Sequence, residues 1–310
     1  MYAADDPRSK LGGAADTGKA PYAEAKPALR FAAAEYVKFH DGAPAEESQS
    51  ARTWYARGQN FVIAYTEAKP GAVLTRDDQV DEYVVLLPER GVNVTIATAP
   101  ETRLVAGYSL AIVPPGTSVV TAKAVGTIIR IFSAQSADLN ALAANTAAYA
   151  QARPNIPPYH PWPAPPAGYR LRVYDLDVPP APGRFGRIWR CASVMVNVLP
   201  PEPGPRDLHK LSPHHHDDFE QGSLALRGSF THHIRWPWTA DYHDWRADDH
   251  EVCPAPSLAV IPPPAIHTSA GSDMVMNQLV DVFAPPRADF SKMAGWVLNA
   301  DEYPMPEQPQ

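Results

Sequence analysis

Two short stretches, SLAIVPPG at 109–116 and SLAVIPPP at 257–264, differ only by an Ile/Val exchange and a closing Gly/Pro. The match continues outward. IIRIFSAQSADL (128–139) and LVDVFAPPRADF (279–290) each read as a β-branched run, a phenylalanine, and a loop closing on Ala-Asp and an apolar residue. Two matches in the same order, at a near-constant offset of about 150 residues, point to an internal duplication.

Each copy reads as β-rich. The first holds NFVIAYTEAKPG, DEYVVLLPERG, NVTIATA and GTIIRIFSA, short β-branched or aromatic runs between Pro, Gly and Asp turn signals. The second holds IWRCASVMVNVLPPEPG, SLALRGSFTHHIRW and NQLVDVFAPP. Strands at this spacing, without helical periodicity between them, predict an all-β sandwich or barrel for each copy. The clearest helical stretch is SADLNALAANTAAYAQA, with Ser136 as its expected N-cap. RPNIPPYHPWPAPPAGY follows, where proline stops the helix and stiffens a linker. The predicted organisation is a polar arm (1–30), a first barrel (31–140), a helix and Pro-rich linker (141–170) and a second barrel (171–310).

The 310 residues are 45% hydrophobic and 20% charged, enough apolar material for a globular core. Thirty-five prolines against 18 glycines favour loops and strand edges over long helices. A net charge of -7 argues against a nucleic-acid partner. No apolar run is long enough for a membrane span, and the N-terminus lacks a basic segment followed by an apolar one, so neither membrane nor secretory signal is expected. Cys191 and Cys253 form no C-x-x-C pair and are expected to pack as small apolar groups in a reducing, cytoplasmic setting.

Chemistry concentrates in SPHHHDDFEQGSLALRG (212–228). Alone, a histidine run reads as a solvated loop. In a strand, however, His214 and His216 share one face and His215 takes the other. Glu220 or Gln221 stands ready as an oxygen ligand, and His267 in PPPAIHTSAG as a third imidazole. Such a mixed nitrogen and oxygen set suits Fe, Mn, Ni, Zn or Cu. His232 and His233 lie on the next strand, where one should face inward as a general acid or base, against the blander reading of a solvated strand histidine. IRWPWTADYHDWRADDH reads as an insertion that caps a site or makes a contact. Arg235, Arg246 and Arg287 are candidate carboxylate clamps. Asn277 and Asp281 are candidates for supporting the ligands.

These motifs resemble the cupin superfamily. Its first motif, G-x5-H-x-H-x3-4-E-x6-G, is matched by His214-x-His216, an x4 gap to Gln221, and six residues to Gly228; its second is matched by Pro262-x-Pro264-x2-His267. The resemblance spans both copies, about 250 residues. It implies two jelly-roll barrels in one chain, with one divalent metal in the C-terminal barrel, held by His214, His216, Gln221 and His267. Fe2+ is favoured, with Zn2+, Mn2+ or Ni2+ as alternatives. The departures are Leu208 and Pro264 in place of motif glycines, and the acid position itself. Counting back from Gly228 selects Gln221; counting forward from His216 selects Glu220, the alternative ligand and a candidate catalytic acid. Alternation forbids both from facing inward, and Gln221 is favoured because its spacing to Gly228 lies within one strand. In the first copy Val119 stands at the place of His267, Thr75 and Asp77 near the histidine positions and Glu82 at the acid, so no metal is expected there. The implied activity is metal-dependent chemistry of dioxygenase or isomerase/lyase type on a small anionic substrate. The alternatives are a non-catalytic metal-containing binding or sensor protein, or a storage-like structural one. A homodimer is the expected assembly.

Overall fold

Alternation decides which face each strand buries. In the strand Gly126–Ser133, Ile129 and Ile131 enter one core cluster while Ile128 and Phe132 enter another. The duplicate strand, Met276–Ala284, does the same: Val280 and Val282 face the first cluster, Leu279 and Phe283 turn away from it. The computed structural model describes residue 7, residues 31–99 and residues 101–307. The expected arm over 1–30 therefore lies almost wholly outside the described residues.

Four sheets result. In the N-terminal half, a seven-stranded sheet runs in the order Arg172–Asp175, Ser109–Val113, Tyr83–Leu87, Gly126–Ser133, Phe61–Ala68, Ala51–Arg57 and Glu46–Glu47. A four-stranded sheet, built on Val73–Gln79 and Gly116–Ala122, closes the other side of that barrel. In the C-terminal half, the order is Glu35–Lys38, Ser257–Ile261, Glu220–Arg227, Met276–Ala284, Met195–Val198 and Ile188–Arg190, with Glu202–Pro203 paired to Met276–Ala284. A three-stranded sheet of Asp249–Pro254, Ser229–Arg235 and Ile266–Gly271 closes the second barrel. The expected all-β pair of jelly-roll barrels is thus present.

The two large sheets pack face to face. Ile63, Leu86, Leu110 and Ile131 of one meet Val196, Leu224, Leu258 and Val282 of the other in one shared core. Strands buried on both faces read as near-continuous apolar runs, and SLAIV and SLAVI are such runs, buried at every position. Each half also lends an edge strand to the other. Glu35–Lys38 pairs with Ser257–Ile261, and Arg172–Asp175 pairs with the duplicate strand Ser109–Val113.

The expected helix over 136–152 is shorter than its composition suggests. It spans Ala137–Leu142 and then gives way to a 3-10 turn at Thr146–Tyr149. Tertiary bonds break it: the Ala144 amide donates to the Tyr55 carbonyl, and the Asn145 side chain brackets both backbone groups of Arg57. Ser136 makes no cap bond, because its hydroxyl is engaged with Gln79. Both cysteines are free and buried, and burial foremost pushes the Cys191 thiol up to about 12 and the Cys253 thiol up to about 11. No helix among the described residues is long and apolar enough to cross a membrane.

Candidate metal centre

His214 and His267 meet in a small antiparallel bridge. The His214 amide donates to the His267 carbonyl at 3.1 Å, and the His267 amide returns the bond at 2.8 Å. The same local device orients both rings. The His214 Nδ1–H donates to the Ser212 carbonyl at 3.0 Å, and the His267 Nδ1–H donates to the Ala265 carbonyl at 2.9 Å. A carbonyl can only accept, so these bonds put the proton on Nδ1 and make Nε2 the basic nitrogen. That is the tautomer a metal ligand uses.

His216 stacks on Phe219 at a centroid distance of 4.0 Å. The three rings lie 4.4 Å (His214 to His267), 5.0 Å (His216 to His267) and 6.4 Å (His214 to His216) apart. His215 points away and meets Asp217 at the surface. Gln221 opens the strand Glu220–Arg227 on the barrel-facing side. Its amide nitrogen donates to Ser223 Oγ at 3.0 Å and Asp281 Oδ1 at 3.3 Å. A carboxylate needs a donor, which fixes the amide's orientation and leaves Oε1 as the outward atom.

Four buried side chains here hold polar atoms without a partner: both ring nitrogens of His216, Nε2 of His267, Nε2 of His232 and Oε1 of Gln221. An unsatisfied buried group costs about 1–3 kcal/mol, so such a concentration calls for a ligand. Gln221 lies near enough to His216 to favour its protonated form slightly, yet no bond of ordinary geometry joins them. Burial, then the nearby His267, Arg287 and His214, holds His216 well below the usual histidine range. Burial first also brings His267 down to about 4, with Arg287 adding to it and the bond to Ala265 opposing it. Both rings are therefore neutral at physiological pH, the form that binds a metal. Among the described residues no three His, Cys, Asp or Glu side chains already share a coordination shell. The donor set, three imidazoles and an amide oxygen, fits a divalent ion chemically.

Glu220 faces the other way. Its carboxylate accepts from the Gln59 amide at 2.6 Å and the Tyr149 hydroxyl at 3.4 Å, at the junction with the N-terminal barrel. Burial pushes its carboxyl up to about 7. The structure thus brings Gln221, not Glu220, to the histidines, as period-two alternation requires.

The strand Ser229–Arg235 separates its two histidines in the same manner. His232 pairs with Ser269 and is buried on the face of His267, with Nδ1 at 2.8 Å from Ser269 Oγ. Burial, then the neighbouring His267 and His233, brings His232 down to about 3. His233 points outward to His250, with Nδ1 to Nδ1 at 2.7 Å. Of the three arginines singled out, only Arg287 reaches the site. It is buried over Phe290, Phe219 and Phe283 and held by Asp289. Arg235 pairs with Asp248 at the surface, and Arg246 covers Trp236. Asp281 supports Gln221 directly, whereas Asn277 braces a turn through Gly204 and Asp273. In the inserted loop Trp236 is buried, while Trp238 and Trp245 stack at 4.2 Å on the surface. Sequence reasoning missed Phe219 and Ser223. The Gln221-x-Ser223 alternation could have found the second; nothing local signals the first.

No family model matches the chain, and no curated protein matches it. Solved structures do. The oxalate decarboxylase of Lactobacillus farciminis, in a formate complex, is 12% identical over 81% of this chain and 86% of its own, with a TM-score of 0.54. A variant of the Bacillus subtilis oxalate decarboxylase is 12% identical over 82% of this chain and 78% of its own, with a TM-score of 0.52. At such identity the likeness concerns the fold alone.

Proposed function

We propose that this chain, which has the two-domain cupin fold, is a metal-dependent enzyme whose one metal centre lies in the C-terminal barrel and acts on a small, oxygen-rich anion. One observation carries the reading: buried, unpartnered donor atoms of His216, His267 and Gln221 gather beside His214. His214, His216, His267 and Gln221 would hold the ion, with Fe2+ favoured over Zn2+, Mn2+ or Ni2+. A divalent ion bound there would supply a Lewis acid that polarises a substrate oxygen.

The chain's own residues set the charge of the site. Three neutral imidazoles and an amide neutralise none of a divalent ion's charge, and Arg287 adds a buried cation close to His216 and His267. Such a field selects a carboxylate or enolate over a neutral molecule. His232, hydrogen-bonded to Ser269 on the face of His267, would offer a neutral imidazole to a bound substrate; burial, which brings it down to about 3, argues against it as a proton acceptor. Dioxygenase-type and isomerase or lyase-type chemistry both suit this arrangement. A second reading, a metal-containing binding or sensor protein without turnover, draws support from the depth of the site: His216, His232 and His267 are all buried.

Elemental analysis of the purified protein tests the proposal. About one metal per chain is expected in the wild type, lost in His267→Ala. No metal in either, with reconstitution also failing, would sink it. Turnover of a small carboxylate by the metal-loaded chain would then separate the enzyme from the sensor.

A further inference from the structure

The candidate ligands come from segments of unequal regularity. Gln221 and His267 lie on the strands Glu220–Arg227 and Ile266–Gly271, whereas His214 lies on a non-strand segment that meets the second of these at a single bridge. A strand carries its side chain in a fixed direction; a loop does so only if something holds it. Whatever ordering the loop lacks must be taken out of the affinity for a ligand.

Arg206 does the holding. Its backbone amide donates to the Gly271 carbonyl at 2.9 Å, and its Nη1 donates to the Ser269 carbonyl at 3.0 Å. Its Nη2 donates to Ser212 Oγ at 2.9 Å and to the Lys210 carbonyl at 3.3 Å. One guanidinium thus spans the strand that carries His267 and the segment that leads into His214. Between them the chain is tightened by Asp207, whose carboxylate accepts from the His209 amide at 2.9 Å and opens the 3-10 turn Leu208–Lys210.

The two serines that Arg206 grips are those that set imidazoles. The Ser212 carbonyl accepts from the His214 Nδ1–H at 3.0 Å, and Ser269 Oγ lies 2.8 Å from His232 Nδ1. The bond made by one ring nitrogen decides which form of the ring the other presents. Fixing Ser212 therefore fixes both the direction of the His214 ring and the basic state of its Nε2. A planar fork with several N–H groups suits this task; a lysine ammonium is a point charge on a flexible stem and cannot span the same acceptors.

We propose that Arg206 is a positioning residue of the candidate metal centre: by pinning Ser212 to the strand of His267, it presets the His214 imidazole before any ion arrives. The inference rests on the reading of His214 as a ligand, but the preset ring belongs to the metal-free chain and is measurable there.

Nitrogen-15 NMR of the histidine rings in the metal-free full chain tests it, with the His214 signals assigned by their loss in His214→Gln. The wild type should hold His214 as the Nδ1–H tautomer. Arg206→Ala should give a mixture of tautomers, and Arg206→Lys should behave like Arg206→Ala. Zinc, a redox-inert probe, should bind roughly 10–100-fold more weakly to both variants in competition with a chromophoric chelator. If Arg206→Ala fails to fold, as circular dichroism would show, Ser212→Ala decides by the same readouts, since it removes the bond to Nη2. An unchanged His214 tautomer, zinc bound equally by wild type and Arg206→Ala, or full rescue by lysine would each overturn the proposal. A wild type that binds no zinc would instead sink the metal centre, and the tautomer spectra would then decide the role of Arg206 alone.

Discussion

One residue step separates a ligand from a structural acid. Glu220 and Gln221 are adjacent and both buried, yet one faces the N-terminal barrel and the other the histidines. Gln221 also works against Asp281, which accepts from its amide at 3.3 Å. Gln221→Glu would set two carboxylates against each other, and only a cation between them would relieve the repulsion. The metal-free variant should therefore melt below the metal-free wild type, and added divalent metal should raise its melting temperature by more than it raises the wild type's. Equal shifts in the two proteins would remove position 221 from the ligand set.

At the scale of elements, the turn after Glu220–Arg227 fixes the register that puts Gln221 and His232 inward. Gly228 has φ +77°, and a Cβ there would stand 2.3 Å from the Met276 carbonyl oxygen. The left-handed backbone alone costs a non-glycine residue roughly 1–2 kcal/mol, and the overlap with backbone adds to it. Gly228→Ala should lower stability by at least that amount in denaturant unfolding and weaken metal retention as the register loosens. An unchanged unfolding midpoint would show that the turn can shift without consequence. The glycine that anchors the motif's spacing is thus anchored by geometry. The helix was less legible: alanine-rich composition favours helix throughout, but the bonds of Ala144 and Asn145 to Tyr55 and Arg57 come from a distant strand, and these end it.

At the scale of the molecule, the shared core between the barrels encloses acids. Glu82, the duplicate of Glu220, accepts from the Tyr303 hydroxyl at 2.7 Å and lies 3.8 Å from Arg172, while its second oxygen has no partner. Burial, opposed by Tyr303 and Arg172, pushes its carboxyl up to about 7. A pKa raised on folding means that the folded state favours the protonated form. The stability it contributes is full below the ordinary carboxylate range and is lost as pH rises through about 7. The melting temperature should therefore fall as pH rises from about 4.5 to about 7 and level off above it, with a loss on the order of 3 kcal/mol at most from this group. Glu82→Gln should flatten that part of the profile. A wild-type profile already flat across this range would mean that the carboxylate is ionised without penalty.

The sequence by itself determined the duplication, the all-β class, the two barrels and the spacing that singles out His214, His216, Gln221 and His267. It could do so because strand alternation and motif spacing are local and periodic properties. Only the tertiary structure decided that each half lends an edge strand to the other, that Arg287 and not Arg235 or Arg246 stands by the histidines, and that Glu82 and Glu220 close the junction between barrels. These are contacts between residues far apart in the chain, where packing and burial, not local pattern, determine which side chain meets which.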